Sequence, residues 1–169
     1  LVKNAKNNQV IVNGCKMYLD KNDVMQMSLF DYEPIETKIV KSNVKENDIV
    51  VDIGANIGYY TLLMAKLNSH VYSYEPELTN FQLLKKNVTH NNFLSNVKLY
   101  NKAVSNFNGK SKLFLSEFTP GEHTLNHDRF DGKKFVEEPI GVYADTLTHE
   151  ITFITVPKNN LKNINQTLI

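Results

Sequence analysis

The chain has 169 residues, a length that predicts a single domain able to bury a hydrophobic core. Its 19 Lys and Arg residues nearly balance 18 Asp and Glu residues, which predicts no nucleic acid partner and no membrane binding. The lone Cys15 excludes a disulfide framework, and without a long apolar run or a signal pattern the predicted location is the cytoplasm.

Residues 1–45 are predicted to form an N-terminal extension of a hairpin and a helix. Two β-prone runs within residues 9–20 meet at Asn13-Gly14, a dipeptide typical of a type I′ hairpin turn because both central residues need positive φ. Pro34 predicts the start of a short helix over about 35–42. Its predicted apolar side consists of Ile35, Ile39 and Val40.

Three β-prone runs then alternate with two helical patterns. The strands are NDIVVDIG, VYSYEP and NVKLYNKAVS, and the first is a continuous apolar run typical of a strand buried on both faces. The second helix is predicted to bury Leu78, Phe81, Leu84 and Val88. This order predicts an α/β fold with a doubly wound, mostly parallel sheet. Residues 109–117 and 133–147 predict a further strand pair, and 151–156 a fourth strand of the core.

The turn after the first core strand reads DIGANIG and predicts a ligand site. Gly54 and Gly58 lie where open α/β sheets bind ligands, beside the free N–H groups of a helix. A dinucleotide fingerprint requires Gly-x-Gly-x-x-Gly, but Asn56 stands at its second glycine, where a side chain does not suit a pyrophosphate. The carboxylate of Asp52 suits an ammonium group, which S-adenosylmethionine has and NAD lacks.

Glu75 follows the second core strand, where an acidic residue can accept both ribose hydroxyls of an adenosine. Taken alone, Glu75 could equally be an exposed loop carboxylate. Together with the glycine loop it predicts an adenosyl cofactor, and Asp52 and Asn56 favour S-adenosylmethionine over NAD.

Several blocks in order resemble the FkbM family of S-adenosylmethionine-dependent methyltransferases, from about residue 15 to about residue 147. They include VVDIGANIGYYTLLMAKL, VYSYEPELTNFQLLKKNV and NVKLYNKAVSNFNGKSKLFLS. The resemblance implies a Rossmann-like class I methyltransferase core that methylates a hydroxyl oxygen on a sugar or small metabolite. The implied contacts to the methionine moiety are Asp52, Gly54, Asn56 and Gly58, with the ribose at Glu75 and the adenine near Asn101, Lys102 and Ala103.

The resemblance breaks after the fourth predicted strand, where acidic residues of the family are replaced by Val156, Pro157 and Lys158. The predicted core, 46–156, is therefore incomplete at its C-terminus and is followed by a polar tail, 157–169. An uncovered sheet would permit self-association. An alternative function is a module that binds the cofactor without turnover. A nicotinamide-dependent oxidoreductase is a further alternative.

His123 is the candidate general base toward the acceptor, because a pKa near neutrality suits proton abstraction. A solvated loop histidine is the alternative interpretation. His123 and His127 are spaced as metal ligands on a helix would be, with Glu122 and Asp128 beside them. Pro120-Gly121 predicts a loop instead, so no metal site is predicted.

Overall fold

A computed structural model describes residues 8–21, 31–104, 109–116, 135–145 and 153–155. Within these ranges the strands are β1 (Gln9–Val12), β2 (Cys15–Tyr18), β3 (Ile49–Ile53), β4 (His70–Tyr74), β5 (Val97–Tyr100), β6 (Ala103–Val104), β7 (Gly109–Ser116), β8 (Phe135–Asp145) and β9 (Phe153–Thr155). The helices are α1 (Pro34–Asn43), α2 (Tyr59–Lys66) and α3 (Leu78–His90). None of the described helices has the length and apolar character needed to cross a membrane.

Four of these strands form a parallel sheet in the order β5-β4-β3-β9, which confirms the predicted α/β fold. The strand order reverses between β3 and β9, since β4 and β5 follow β3 on one side and β9 returns on the other. In open parallel sheets, ligands bind at such a switch point, outside the carboxyl ends of the strands. Asp52 lies at this point, paired in register with Ser73 of β4 and Thr155 of β9.

The core lies between this sheet and the elements packed on it. Val50, Met64 and Leu84 are fully buried in one cluster that unites β3, α2 and α3. The hairpin of β1 and β2 contributes Cys15 and Met17 to the same cluster. Its turn has positive φ at both Asn13 and Gly14, as predicted. The proposed boundary near residue 45 stays a prediction.

Two predicted apolar faces are partly wrong. Ile35 and Ile39 of α1 are 71% and 49% exposed, whereas Thr37 and Val40 of that helix are buried. Thr37 faces inward because its hydroxyl lies 2.9 Å from the Tyr59 hydroxyl of α2. Leu78 opens α3 and is 51% exposed, so the buried face of this helix begins further along.

A three-stranded sheet, in the order β6-β8-β7, lies between β5 and β9 in the chain. β7 and β8 pair antiparallel, from Gly109 opposite Ala144 to Ser116 opposite Phe135, which confirms the predicted strand pair. The predicted third core strand is divided into β5 and β6. The polar loop predicted at 118–132 lies outside the described residues.

Candidate cofactor site

The glycine loop, residues 54–58, joins β3 to α2 through three residues in the left-handed region. The φ angles are 72° at Gly54, 51° at Asn56 and 101° at Gly58. A Cβ on Gly58 would lie 2.7 Å from Leu84 Cδ1, so close packing against α3 also requires glycine there. The N–H groups of Gly54 and Ala55 donate to the Tyr74 carbonyl at 2.9 and 3.0 Å, which fixes the loop on the end of β4.

Asp52 occupies the end of β3 and is only 3% exposed. Its Oδ2 atom accepts a hydrogen bond from Thr61 Oγ1 of α2 at 2.5 Å. Thr61 Oγ1 also lies 2.8 Å from Ser73 Oγ of β4. Two buried hydroxyls from neighbouring elements therefore orient the carboxylate at the switch point.

Glu75 is 4% exposed and is not a loop carboxylate on the surface. Its Oε2 atom accepts the Asn56 N–H at 2.8 Å, and its Oε1 atom accepts the Glu77 N–H at 2.9 Å. One carboxylate thus connects the glycine loop to the turn that begins α3. Burial raises the pKa of Glu75, the two backbone N–H groups partly offset this, and the negative charges of Glu77 and Asp52 raise it further, to about 7.

This raised pKa predicts that S-adenosylhomocysteine binds less tightly in weak acid. The predicted ribose hydrogen bonds need an ionised carboxylate. About one tenth of Glu75 is ionised a unit below its pKa, so affinity should fall roughly tenfold from pH 8 to pH 6. The same carboxyl stabilises the fold most below its ordinary pKa of 4.5, and this contribution declines as the pH rises to about 7.

Calorimetric titrations at pH 6, 7 and 8 measure this dependence. The Glu75→Gln variant is the control and should show a flat profile, because it has no proton to lose in this range. An equal pH dependence in both proteins would assign the effect to another group.

Asn101 lies at the end of β5, next to Glu75. Its Nδ2 atom donates to the carbonyls of Glu75 and Pro76, at 2.8 and 3.1 Å. Both partners are carbonyls, so the amide nitrogen must face them. Lys102 is half-buried, and Ala103 is buried at the start of β6. The adenine contacts predicted for these three residues stay predictions.

The structure therefore brings the predicted cofactor residues of β3, β4 and β5 to one edge of the parallel sheet. His123 lies outside the described residues, and its role as a base stays a prediction. Among the described residues, no group of three or more His, Cys, Asp or Glu side chains is placed to hold a metal ion. The buried carboxylates and the glycine loop fit a cofactor with a ribose and an ammonium group.

Asn87 was not among the predicted residues, although it supports the loop directly. It is fully buried, and its Nδ2 atom donates to the carbonyls of Ile57 and Tyr18 at 2.8 and 3.0 Å. Its Oδ1 atom accepts the Tyr18 N–H at 2.7 Å. The signal was present in the sequence, because Asn87 follows Leu84 at i+3 on the buried face of the helix.

Residues 9–116 match the family model of the TRM5/TYW2 methyltransferase domain. The chain belongs to this family. Methyltransferase sdnD of Sordaria araneosa is 31% identical to the chain over 86 residues, which cover 50% of this chain and 33% of that protein. The chain thus spans about a third of the length of this relative.

Solved structures of methyltransferases are also similar. P. horikoshii TYW2 in complex with MeSAdo has 26% identity and a TM-score of 0.49, over 60% of this chain and 38% of that chain. The complex of aTrm5 and tRNALeu has 18% identity and a TM-score of 0.47, over 63% of this chain and 34% of that chain.

The family match confirms a methyltransferase domain of the class I, S-adenosylmethionine-dependent type. The FkbM assignment is not shown, and a different methyltransferase family is indicated. The prediction that nucleic acid is excluded as a partner is wrong, since the chain belongs to the TRM5/TYW2 family and aTrm5 forms a complex with tRNALeu. That prediction relied on net charge, which does not reveal how the lysines are distributed over the surface.

Proposed function

We propose that the methyl acceptor of this methyltransferase is a nucleophilic atom of an RNA nucleotide. Membership of the TRM5/TYW2 family is the observation that carries the proposal. The tRNA in the aTrm5 complex supports the choice of acceptor class. The chain spans about a third of these relatives, so the activity of the whole protein is part of the proposal.

A basic and aromatic patch on the described surface also supports an RNA acceptor. Lys86 Nζ of α3 lies 3.5 Å from the ring centroid of Tyr18, and the His90 ring packs against the same tyrosine at 4.8 Å. Lys16, on the same strand as Tyr18, is exposed. In this Tyr18 patch, formed by Lys16, Tyr18, Lys86 and His90, the two lysines supply positive charges for phosphate contacts.

The described residues contribute to the reaction by positioning. When bound, S-adenosylmethionine supplies a methyl group that moves to the acceptor as its bond to sulfur breaks and S-adenosylhomocysteine leaves. Glu75 would hold the ribose and Asp52 would hold the ammonium group. The glycine loop would contact the part of the cofactor between these two groups. Most of the rate comes from this alignment, so few catalytic groups are needed. His123 remains the candidate base for the acceptor proton.

A labelling experiment tests the acceptor class. The protein is incubated with S-adenosylmethionine carrying a labelled methyl group and with either total tRNA or a pool of sugars and small metabolites. We expect label in the RNA fraction, released by nuclease. Label confined to the small-molecule pool would contradict the proposal and favour O-methylation of a hydroxyl.

A variant of the Tyr18 patch provides a second readout. Lys16→Ala combined with Lys86→Ala should weaken tRNA binding and reduce its salt dependence, because two phosphate contacts are lost. Affinity for S-adenosylhomocysteine should not change. Lys38→Ala combined with Lys45→Ala, both exposed, is the matched control for the loss of two surface charges.

A further inference from the structure

A cluster at the start of α2 has no role in the site described so far. Tyr32 and Glu33 come from the segment that leads into α1, and Tyr60 lies two residues after Gly58. The Tyr60 hydroxyl donates to Glu33 Oε2 at 2.6 Å. The Tyr59 ring contacts the rings of Tyr32 and Tyr60 edge-on, at 4.9 and 5.1 Å.

The backbone at Glu33 is held in a conformation that costs energy. Its φ and ψ are 41° and 65°, in the left-handed region that residues other than glycine rarely adopt. The Glu33 carbonyl accepts the Thr37 N–H at 2.9 Å, and the Tyr59 hydroxyl donates to the Tyr32 carbonyl at 3.0 Å. Contacts on both sides of Glu33 thus maintain the conformation that brings its carboxylate to Tyr60.

Glu33 and Asp52 act on the same phenol. The pKa of Tyr32 is raised mainly by burial, then by the negative charge of Glu33, and also by a hydrogen bond to Glu33 and by the charge of Asp52. Burial and a hydrogen bond to Glu33 raise the pKa of Tyr60 as well. Tyr60, which bonds Glu33, is followed in α2 by Thr61, which bonds Asp52, so the first turn of α2 contacts both carboxylates. Carboxylates beside phenol rings attract a cation.

We propose that Glu33, oriented by Tyr60, binds the α-ammonium group of S-adenosylmethionine as a second carboxylate beside Asp52. The cofactor carries this cation at its amino-acid end, and a charge-assisted hydrogen bond to a carboxylate is the strongest contact that such a group makes. Glu33 precedes the first core strand, so this contact would make the segment before α1 part of the cofactor site. The inference does not depend on the identity of the methyl acceptor.

The competing explanation is purely structural, because the contact between Glu33 and Tyr60 also joins α1 to α2. Two ligands separate the explanations. S-Adenosylhomocysteine carries the ammonium group, and methylthioadenosine has the same nucleoside without the amino-acid moiety. A binding role affects only the first ligand, whereas a structural role affects both.

Calorimetric titration of Glu33→Gln with both ligands is the test. We expect a loss of about tenfold or more for S-adenosylhomocysteine, as for one charge-assisted hydrogen bond, and less than a twofold change for methylthioadenosine. Tyr60→Phe should give a smaller loss with the same selectivity, because the carboxylate remains but is less well oriented. Glu36→Gln, which removes the same charge from the first turn of α1, should change neither affinity.

Two results would overturn the proposal. One is an equal loss for both ligands in Glu33→Gln, including the case in which the variant does not fold and binds neither. The other is unchanged affinity for S-adenosylhomocysteine. Failure of RNA methylation would not affect this result, since neither ligand donates a methyl group.

Discussion

Glu75→Ala should lower the affinity for S-adenosylhomocysteine by about a hundredfold or more at pH 8. The substitution removes the predicted acceptor of two ribose hydroxyls, and each hydrogen bond to an ionised group contributes about 1.5–3 kcal/mol. A factor of ten corresponds to about 1.4 kcal/mol, so two such bonds exceed a hundredfold. Isothermal titration calorimetry measures the change.

The fold should survive this substitution. Alanine removes a buried carboxylate whose pKa is raised to about 7, and this removal relieves the cost of burying its charge. The substitution also leaves the N–H groups of Asn56 and Glu77 without their acceptor. These effects oppose each other, so we expect a small shift in Tm. Glu46→Ala, on the exposed turn before β3, is the control and should leave affinity unchanged. Affinity within threefold of the parent in a folded Glu75→Ala protein would limit Glu75 to support of the loop.

Asn87→Ala should lower the free energy of unfolding by about 3 kcal/mol. The side chain makes three hydrogen bonds to the backbone of Tyr18 and Ile57, and alanine would leave these polar groups unpaired in a buried site. An unsatisfied buried group costs about 1–3 kcal/mol, and the loss is partly relieved by rearrangement or water. Urea denaturation followed by circular dichroism measures the difference.

Asn91, the residue that follows α3, offers a closely matched control four residues after Asn87. Its Oδ1 atom accepts the Lys16 N–H at 2.9 Å, and its Nδ2 atom donates to the Lys16 carbonyl at 2.6 Å. Asn91 is partly exposed, so water can replace these bonds, and Asn91→Ala should cost about 1 kcal/mol or less. Similar losses in the two variants would show that burial does not set the cost.

The parallel core could be predicted because its signals are local. A continuous apolar run marks β3, and Asn13-Gly14 marks the hairpin turn, whatever the rest of the chain does. Asp52 and Glu75 could be placed together for a geometric reason, since the carboxyl ends of adjacent parallel strands meet at one edge of a sheet.

Side-chain partners across the fold could not be predicted in this way. The pattern of α1 is compatible with more than one buried face, and the Tyr59 hydroxyl decides in favour of Thr37 over Ile35. The burial of Glu75 and its bonds to the loop likewise depend on elements that meet only in the folded protein. Net charge failed as a guide to partners, because a sum over the chain contains no information about position.

The position of β9 beside β3 has a consequence for the folding of this chain. β3, β4 and β5 are consecutive and can pair over short stretches of chain, whereas roughly a hundred residues separate β3 from β9. Closing that loop costs more conformational entropy than pairing consecutive strands. Only three paired positions, from Val50 with Phe153 to Asp52 with Thr155, compensate for this cost. We therefore expect the glycine loop and Glu75 to assemble early, and the pairing of β9 with β3 beside Asp52 to form last.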